Sequence, residues 1–223
     1  MAQINTPKEV LALAQQSATG KMQLPAGKTL LLAFLAGAYI AMGGLFSLMA
    51  GFGFPAAAEA PGLQRLLSGL VFPLGLILVV FAGAELFTGN NAVLVPGALG
   101  RRYGWGKVLR NWGLVYAGNF IGAAFFAYFL VVLPGVLSSE LWREAACNVA
   151  QAKVSMPWLT VFLRDLHSFP TRRSSDLIPL GMMLGAPVTV ADMVAANLVP
   201  ATLGNIAGGG IFVGGLYWYL NRK

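Results

Sequence analysis

The chain has 223 residues, of which 57% are hydrophobic and only 10% are charged, and its mean hydropathy is +0.70. Soluble domains carry roughly 25% charged residues, so this composition excludes an ordinary soluble protein and places the chain among multi-pass membrane proteins. The net charge of +7 does not indicate nucleic acid as a partner, because lysines and arginines cluster at the ends of apolar segments, which is the topology signal of membrane proteins.

A single transmembrane domain is predicted over residues 1–223, with residues 1–28 as a cytoplasmic amphipathic segment. Residues Thr6 to Ser17 place an apolar stripe beside charged side chains, which predicts a short helix at the membrane interface. The start lacks the basic and apolar regions of a cleaved signal peptide, so none is expected. The first span is predicted from Thr29 to Gly53, and Lys28 precedes it.

An interrupted helix is predicted where the second apolar segment ends. This segment runs from Leu63 to Phe87 and is followed, at membrane depth, by turn- and cap-forming residues: Thr88, Gly89, Asn90 and Asn91. Backbone that leaves a helix inside a bilayer must be surrounded by protein or water, and such breaks mark transport sites. The alternative is a span that ends at Phe87 in an ordinary turn.

Basic residues set the predicted orientation. Residues Arg101 to Arg110 contain four cations, and the last span, Leu198 to Leu220, is followed by two more. Because positive residues are retained on the cytoplasmic side, this loop and both termini are predicted to be cytoplasmic, which requires an even number of crossings. The third span, Val108 to Leu133, then leads outward to a polar connection, Ser138 to Lys153.

Too little apolar sequence remains for the crossings that this orientation requires. Two crossings would have to fit between Ser155 and Asn197, which needs roughly 40 apolar residues. Only Met156 to Leu163 and Leu177 to Val190 are apolar, and between them lies the charged segment RDLHSFPTRRSSD. Each charge at the bilayer centre costs at least about 2.5–3.5 kcal/mol, so this segment cannot lie in lipid. About one and a half helices are therefore missing.

Two glycine motifs indicate an internal repeat. GNFIGAAF, at Gly118 to Phe125, resembles GNIAGGGIF, at Gly204 to Phe212, and the motifs lie in the third and the last predicted spans. Matching spans at that separation are what two inverted halves would give.

Three motifs, GAELFTGN, GALGRRYGWGKVLRNWGLVYAGNFIGA and NLVPATLGNIAGGGIFVGGLYW, resemble the formate/nitrite transporter family. The resemblance covers Met1 to about Arg164 and resumes at Ile178. It implies an all-α integral membrane protein with an aquaporin-like, inverted-repeat fold of six spans, of which the fourth and fifth are incomplete here. It also implies a homopentamer in the bacterial inner membrane, with cytoplasmic termini and one pore per subunit. Small monovalent anions such as formate and nitrite would be carried, often with a proton. No enzymatic activity, cofactor or metal is expected.

The resemblance assigns six residues to the substrate pathway: Leu86, Phe87, Thr88, Lys153, Asn197 and Asn205. The first three match the loop of the family's broken second helix, where the threonine faces the pore. The lysine matches one that attracts anions at the start of the fourth span, and the asparagines match polar residues beside a broken sixth helix.

The family's central histidine is absent from the position that the resemblance gives it. That histidine lies eight residues before an isoleucine–proline pair, here Ile178-Pro179, whereas His167 lies eleven residues before it, so His167 is not its counterpart. The segment from about Asp165 to Leu177 looks foreign and is similar to a translated sequencing adapter. It replaces most of the fourth span and the first half of the fifth.

Most candidates also have a structural explanation. Thr88 could cap the next helix, Lys153 could be a plain surface charge, and Asn205 could serve helix packing. Glu85 and Gly89 are expected to be structural at the break, with Glu85 accepting backbone N–H groups rather than contacting substrate.

Two other functions remain open. An aquaporin-type channel for water or small solutes would show two Asn-Pro-Ala loops, and neither occurs. A non-transporting membrane protein or non-functional fragment would result if the missing helices leave no sealed pore.

Overall fold

The computed structural model describes residues 4–54, 59–166 and 177–222. Throughout these residues the regular structure is helical, as the sequence predicts. The helices of this part of the chain are α1 (Pro7–Gln23), α2 (Ala26–Phe52), α3 (Pro61–Phe81), α4 (Phe87–Leu99), α5 (Trp105–Val132), α6 (Glu140–Val154), α7 (Trp158–Leu166), α8 (Leu177–Met183) and α9 (Val190–Asn221).

Within the described ranges, four helices are long and apolar enough to cross a membrane: α2, α3, α5 and α9, with 27, 21, 28 and 32 residues. They confirm the predicted first, second, third and last spans, and each reaches the roughly 20 residues that a crossing requires. The last span begins at Val190 instead of Leu198 because Thr189 caps it. The Thr189 hydroxyl accepts a hydrogen bond from the Asp192 N–H at 3.1 Å.

The last span, α9, is continuous, which corrects the expectation of a broken sixth helix. Residues Met193–Leu198 and Ile206–Gly215 form π-helical turns, whose i→i+5 hydrogen bonds accommodate extra residues without releasing the backbone. Neither Asn197 nor Asn205 therefore lies beside an interruption of α9.

Most of the polar connection predicted from Ser138 to Lys153 forms the helix α6, which the sequence analysis did not predict. Its alanines Ala145, Ala146 and Ala150 are buried in the cores that α6 shares with α8. Charged residues on the other faces of the helix lower its average hydropathy, so the buried alanine face could not be recognised from the sequence.

The N-terminal helix packs against α4. It was predicted from Thr6 to Ser17 and extends from Pro7 to Gln23. The buried Gln15 side chain donates a hydrogen bond from Nε2 to the Pro96 carbonyl of α4 at 3.1 Å. The helix is therefore anchored to the helical bundle and does not rest on lipid alone.

The two glycine motifs make equivalent contacts. Gly118 and Gly122 of α5 lie directly against the backbone of α2, and Gly204 and Gly208 of α9 lie against the backbone of α7. Small residues permit this close approach of two helices in lipid. The third span thus packs on the first and the last span packs on the start of the fourth, which supports the predicted repeat.

Within the described residues, helices α7 and α8 are too short to cross a membrane. They have nine and seven residues, which at ~1.5 Å per residue reach about 14 and 10 Å of a ~30 Å hydrocarbon layer. As far as the chain is described, the fourth and fifth spans are therefore incomplete, as predicted. The charged residues between them, 167–176, lie outside the described residues.

Candidate functional site

The break between α3 and α4 is exposed at Ala82 and Gly83 and buried at Ala84 and Glu85. α3 ends at Phe81, residues 82–86 leave the helical conformation, and α4 begins at Phe87. Gly83 turns the chain at φ +60°, a conformation that suits a residue without Cβ. The predicted break is confirmed, but it is upstream of the turn-forming residues. Residues 88–91 belong to the start of α4.

Glu85 is the centre of a buried polar cluster in this break. Its side chain is 3% exposed and accepts hydrogen bonds from Lys21 Nζ and from Asn90 Nδ2, each at 2.7 Å. Asn90 Nδ2 also donates to Asn111 Oδ1 of α5 at 2.9 Å. The expectation that Glu85 accepts backbone N–H groups is therefore wrong. Its partners are side chains that come from α1 and α4, because a charge at this depth requires ionic or amide compensation.

Asn119 of α5 holds the backbone of the break. Its Nδ2 donates to the Glu85 and Ala33 carbonyls, each at 2.8 Å, and its Oδ1 accepts from the Phe87 N–H at 2.9 Å. These bonds satisfy backbone groups that the interrupted helix leaves without partners. The sequence analysis did not select Asn119, although it is the asparagine of the first GN motif and the counterpart of Asn205.

Substitution of Glu85 by glutamine is expected to destabilise the break. The change leaves the Lys21 ammonium, whose side chain is 21% exposed, without its carboxylate. Loss of one partner of a fully buried pair costs ~3–5 kcal/mol, and partial exposure of Lys21 reduces the expected cost to about 2 kcal/mol. Thermal unfolding of the purified protein in mild detergent measures this cost. The double variant Glu85→Gln/Lys21→Met should recover part of the loss, and two fully additive effects would contradict the pairing.

Phe87 borders an apolar cavity of about 520 Å³ between α5 and α9. Its ring packs edge-on against Trp112 and Tyr116, with centroids 6.3 and 5.2 Å away. Leu198 and Thr202 line the opposite side. Phe87 therefore stands where the break meets the two spans of the glycine repeat.

Buried polar atoms without a hydrogen-bond partner among the described residues follow Phe87 along α4. They are Thr88 Oγ1 and both amide atoms of Asn91. Thr88 and Asn91 are three residues apart and so share one face of α4. A buried polar group left unsatisfied costs about 1–3 kcal/mol, so these atoms favour the binding of a hydrogen-bonding molecule such as water or an anion.

Lys153 and Asn197 are brought together by α6 and α9. Lys153 occupies the last turn of α6, and the fully buried Asn197 donates from Nδ2 to its carbonyl at 3.3 Å. Asn205 instead donates to the Ala201 carbonyl of its own helix at 2.8 Å. In the described structure, the predicted residues thus form a group at the break (Leu86, Phe87, Thr88) and a second group of Lys153 with Asn197.

The described residues contain four helices that are long and apolar enough to span a membrane, a helix break with a buried polar cluster, and paired glycine contacts. Together they define a multi-pass membrane protein built like a transporter. The chain belongs to the formate/nitrite transporter family, whose sequence profile matches residues 8–166 and 174–219.

Comparison with individual proteins supports this family assignment. The chain is 36% identical to a probable formate transporter of Methanothermobacter thermautotrophicus, over 98% of this chain and 96% of that protein. It is 29% identical to the formate channel FocA of Escherichia coli strain K12, over 96% and 93%. A solved pentameric formate channel with formate bound superposes with a TM-score of 0.70 at 27% identity, over 89% of this chain and 98% of that one. A solved FNT family ion channel shares the fold, with a TM-score of 0.76 at 22% identity.

The same comparisons reveal a deficit of residues in this chain. The alignment with the Methanothermobacter protein extends over 269 positions, whereas this chain has 223 residues, so many aligned positions have no residue in this chain. The family profile is interrupted only between residues 166 and 174. This interruption falls inside the segment from Asp165 to Leu177 that looked foreign in the sequence.

Proposed function

We propose that the complete protein conducts small monovalent anions of the formate type across the membrane, and that it is a channel or transporter rather than an enzyme. The family membership and the relatives named as formate transporters and channels support this function. Nitrite is a second substrate of similar size and charge, and proton-coupled passage would neutralise the anion in the apolar part of the route.

The observation that carries the proposal is the pair of unsatisfied polar groups at the start of α4. Thr88 Oγ1 is buried without a hydrogen bond among the described residues, immediately after a helix break. The first N–H groups of a helix have no helical partners and carry partial positive charge, which favours an anion. A hydroxyl donor and this helix start together suit a small carboxylate or oxyanion, and the preceding residue, Phe87, borders the apolar cavity.

Lys153 supplies the long-range attraction in this proposal. A positive charge at a pore entrance raises the local concentration of anions and their entry rate. The Asn197 bond to the Lys153 carbonyl fixes the end of α6 against α9. Leu198, the residue after Asn197, lines the cavity that Phe87 borders, which supports a route from the lysine towards the break.

Thr88→Val tests the pore role of the break. Valine keeps the shape of threonine but removes the hydroxyl donor. A hydrogen bond to a charged group is worth about 1.5–3 kcal/mol, so formate flux should fall about tenfold or more in a chain whose fourth and fifth spans have been restored. Thr19→Val is the matched control, because the Thr19 hydroxyl donates to the Gln15 carbonyl within α1. Equal formate flux in both variants would show that Thr88 is not part of the pathway.

The proposed assembly and orientation are a homopentamer with both termini in the cytoplasm of a bacterial cell. The solved relative is a pentamer with formate bound, which supports the oligomeric state. The cations from Arg101 to Arg110 support the orientation, since positive residues remain on the cytoplasmic side.

Reporter fusions test the orientation. A reporter placed after Lys107 is expected to be active in the cytoplasm, and one placed after Glu140 is expected to be active in the periplasm, because α5 crosses the membrane between them. Alkaline phosphatase and green fluorescent protein fusions read the two compartments. Reversal of either result would overturn the orientation and the placement of Lys153 at the outer entrance.

A second candidate function is a non-conducting form of the same protein. The observation that favours it is that α7 and α8, as far as they are described, are too short to complete the wall of a pore. We infer that the 223-residue chain itself does not transport. Resequencing the gene across the codons for Arg164 to Ile178 separates a natural deletion from a foreign insertion.

A further inference from the structure

A small basic pocket lies at the start of α5, next to the polar cluster of the break and apart from the apolar cavity. Its cations are Lys21 of α1 and Lys107 and Arg110 of α5, and its volume is about 170 Å³. Asn111 and the apolar side chain of Leu114 also line it. We name this set the basic pocket.

The charges of the basic pocket are poorly compensated. Lys21 is paired with Glu85, whereas Lys107 and Arg110 form no ion pair with any residue in the described ranges. Cations held around one concave surface repel each other and focus a positive potential in it. An anion in the pocket would relieve this repulsion.

Asn111 adds a directed donor to these charges. The residue is 5% exposed, and its Oδ1 is occupied because it accepts from Asn90 Nδ2 at 2.9 Å. Its Nδ2 donates to no residue in the described part of the chain, and Asn111 lines the basic pocket. This amide group is not among the fully buried polar atoms that lack a partner, so it can donate to an acceptor oxygen in the pocket.

The position of the pocket points to a lipid phosphate as the source of that oxygen. Lys107 and Arg110 are exposed at the end of a membrane span, and Leu109 between them is 61% exposed. Trp105, at the first turn of α5, is 46% exposed, as is typical of an aromatic residue at the membrane interface. A phosphate at this depth can therefore be held by the cations while its acyl chains cover apolar residues of the same helix.

We propose that the basic pocket binds the phosphate of an anionic phospholipid and so links α1 to α5 through a lipid. The binding does not depend on anion transport, because it uses residues outside the proposed pathway. A lipid held there would contact Lys21, the residue that reaches Glu85 in the helix break.

Native mass spectrometry of the purified protein in mild detergent tests this proposal. Phosphatidylglycerol should remain bound at concentrations at which phosphatidylcholine does not. The double variant Lys107→Gln/Arg110→Gln should weaken retention of phosphatidylglycerol about thirtyfold, since each cation near an anionic lipid contributes a factor of about five. The control Arg65→Gln/Arg102→Gln removes two exposed cations that do not line the pocket and should leave retention unchanged.

Four outcomes would overturn the lipid site. Equal retention of the two lipids by the unmodified protein would exclude selectivity for anionic phosphate without reference to any variant. Equal weakening by the pocket and control variants would show only a general surface charge. Displacement of phosphatidylglycerol by millimolar inorganic phosphate would indicate a site for free phosphate, and displacement by millimolar formate would assign the pocket to the anion route.

Discussion

Replacement of Gly122 by alanine is expected to lower the melting temperature of the purified protein by about 5 °C, which corresponds to a loss of about 1–3 kcal/mol from overpacking. A Cβ at this position would overlap the backbone carbonyl of Phe34 in α2. Backbone in the middle of a helix cannot move away as a flexible side chain can. The same contact between α2 and α5 includes Gly37, where an added Cβ would overlap the backbone of Asn119. The contact between α2 and α5 is therefore expected to open.

Gly106→Ala is the matched control for this change. Gly106 lies in the same helix, and a Cβ there would have no neighbouring atom within 4 Å. Because alanine favours the helix by up to about 1 kcal/mol relative to glycine, the control should be neutral or slightly stabilising. Thermal unfolding in one detergent compares the two variants directly. A Gly122→Ala protein as stable as the Gly106→Ala protein would contradict the close packing of the first and third spans.

The spans were predictable from sequence because their signal is local. Twenty or more apolar residues bounded by charges require a membrane, whatever they pack against. The first and third spans accordingly begin within three residues of their predicted starts, at Ala26 and Trp105. The Ser138 to Lys153 helix was missed for the same reason. Its buried face consists of alanines, whose hydropathy is too modest to offset the charges beside them.

The break was predictable in kind but not in position. Its sequence signal is a set of polar turn formers, yet the structure keeps Gly89 and Asn90 within a helix. Asn90 can remain helical because its side chain bonds to Glu85 and Asn111. The departure from helix falls instead at Gly83, which adopts a left-handed conformation. Such a choice depends on partners that are distant in sequence.

The polar support of the candidate site was the least predictable part. Lys21, Asn111 and Asn119 lie 64, 21 and 34 residues from the groups that they bond near the break. No local pattern connects them to it. Only the GN motif offered a signal, since Asn119 and Asn205 occupy the same place in the two halves. Asn119 bonds to the break of the first half, whereas Asn205 bonds within its own helix.

Restoration of the missing residues is expected to convert a non-conducting chain into an anion channel. If the two halves match, the counterpart of the broken second span is the fifth span, of which the described residues include the helix Leu177–Met183. Replacement of the segment from Asp165 to Leu177 by an apolar sequence about one and a half helices long would complete the fourth and fifth spans. It should also carry a central histidine, which the family resemblance requires. The wall of the pore would then close. Asn205 would then be able to bond backbone groups of the fifth span, as Asn119 bonds those of the break in the second span.

Formate uptake into liposomes is the measurement that tests the central claim most directly. Liposomes that contain the 223-residue chain should take up no more formate than empty liposomes, and those with the restored chain should take it up rapidly. A restored chain whose histidine is replaced by phenylalanine serves as the control for leakage through a poorly packed bundle. If the unrestored chain already carries formate, the segment from Asp165 to Leu177 is a working part of the protein. If the restored chain assembles and carries neither formate nor nitrite, the proposed transport function is wrong.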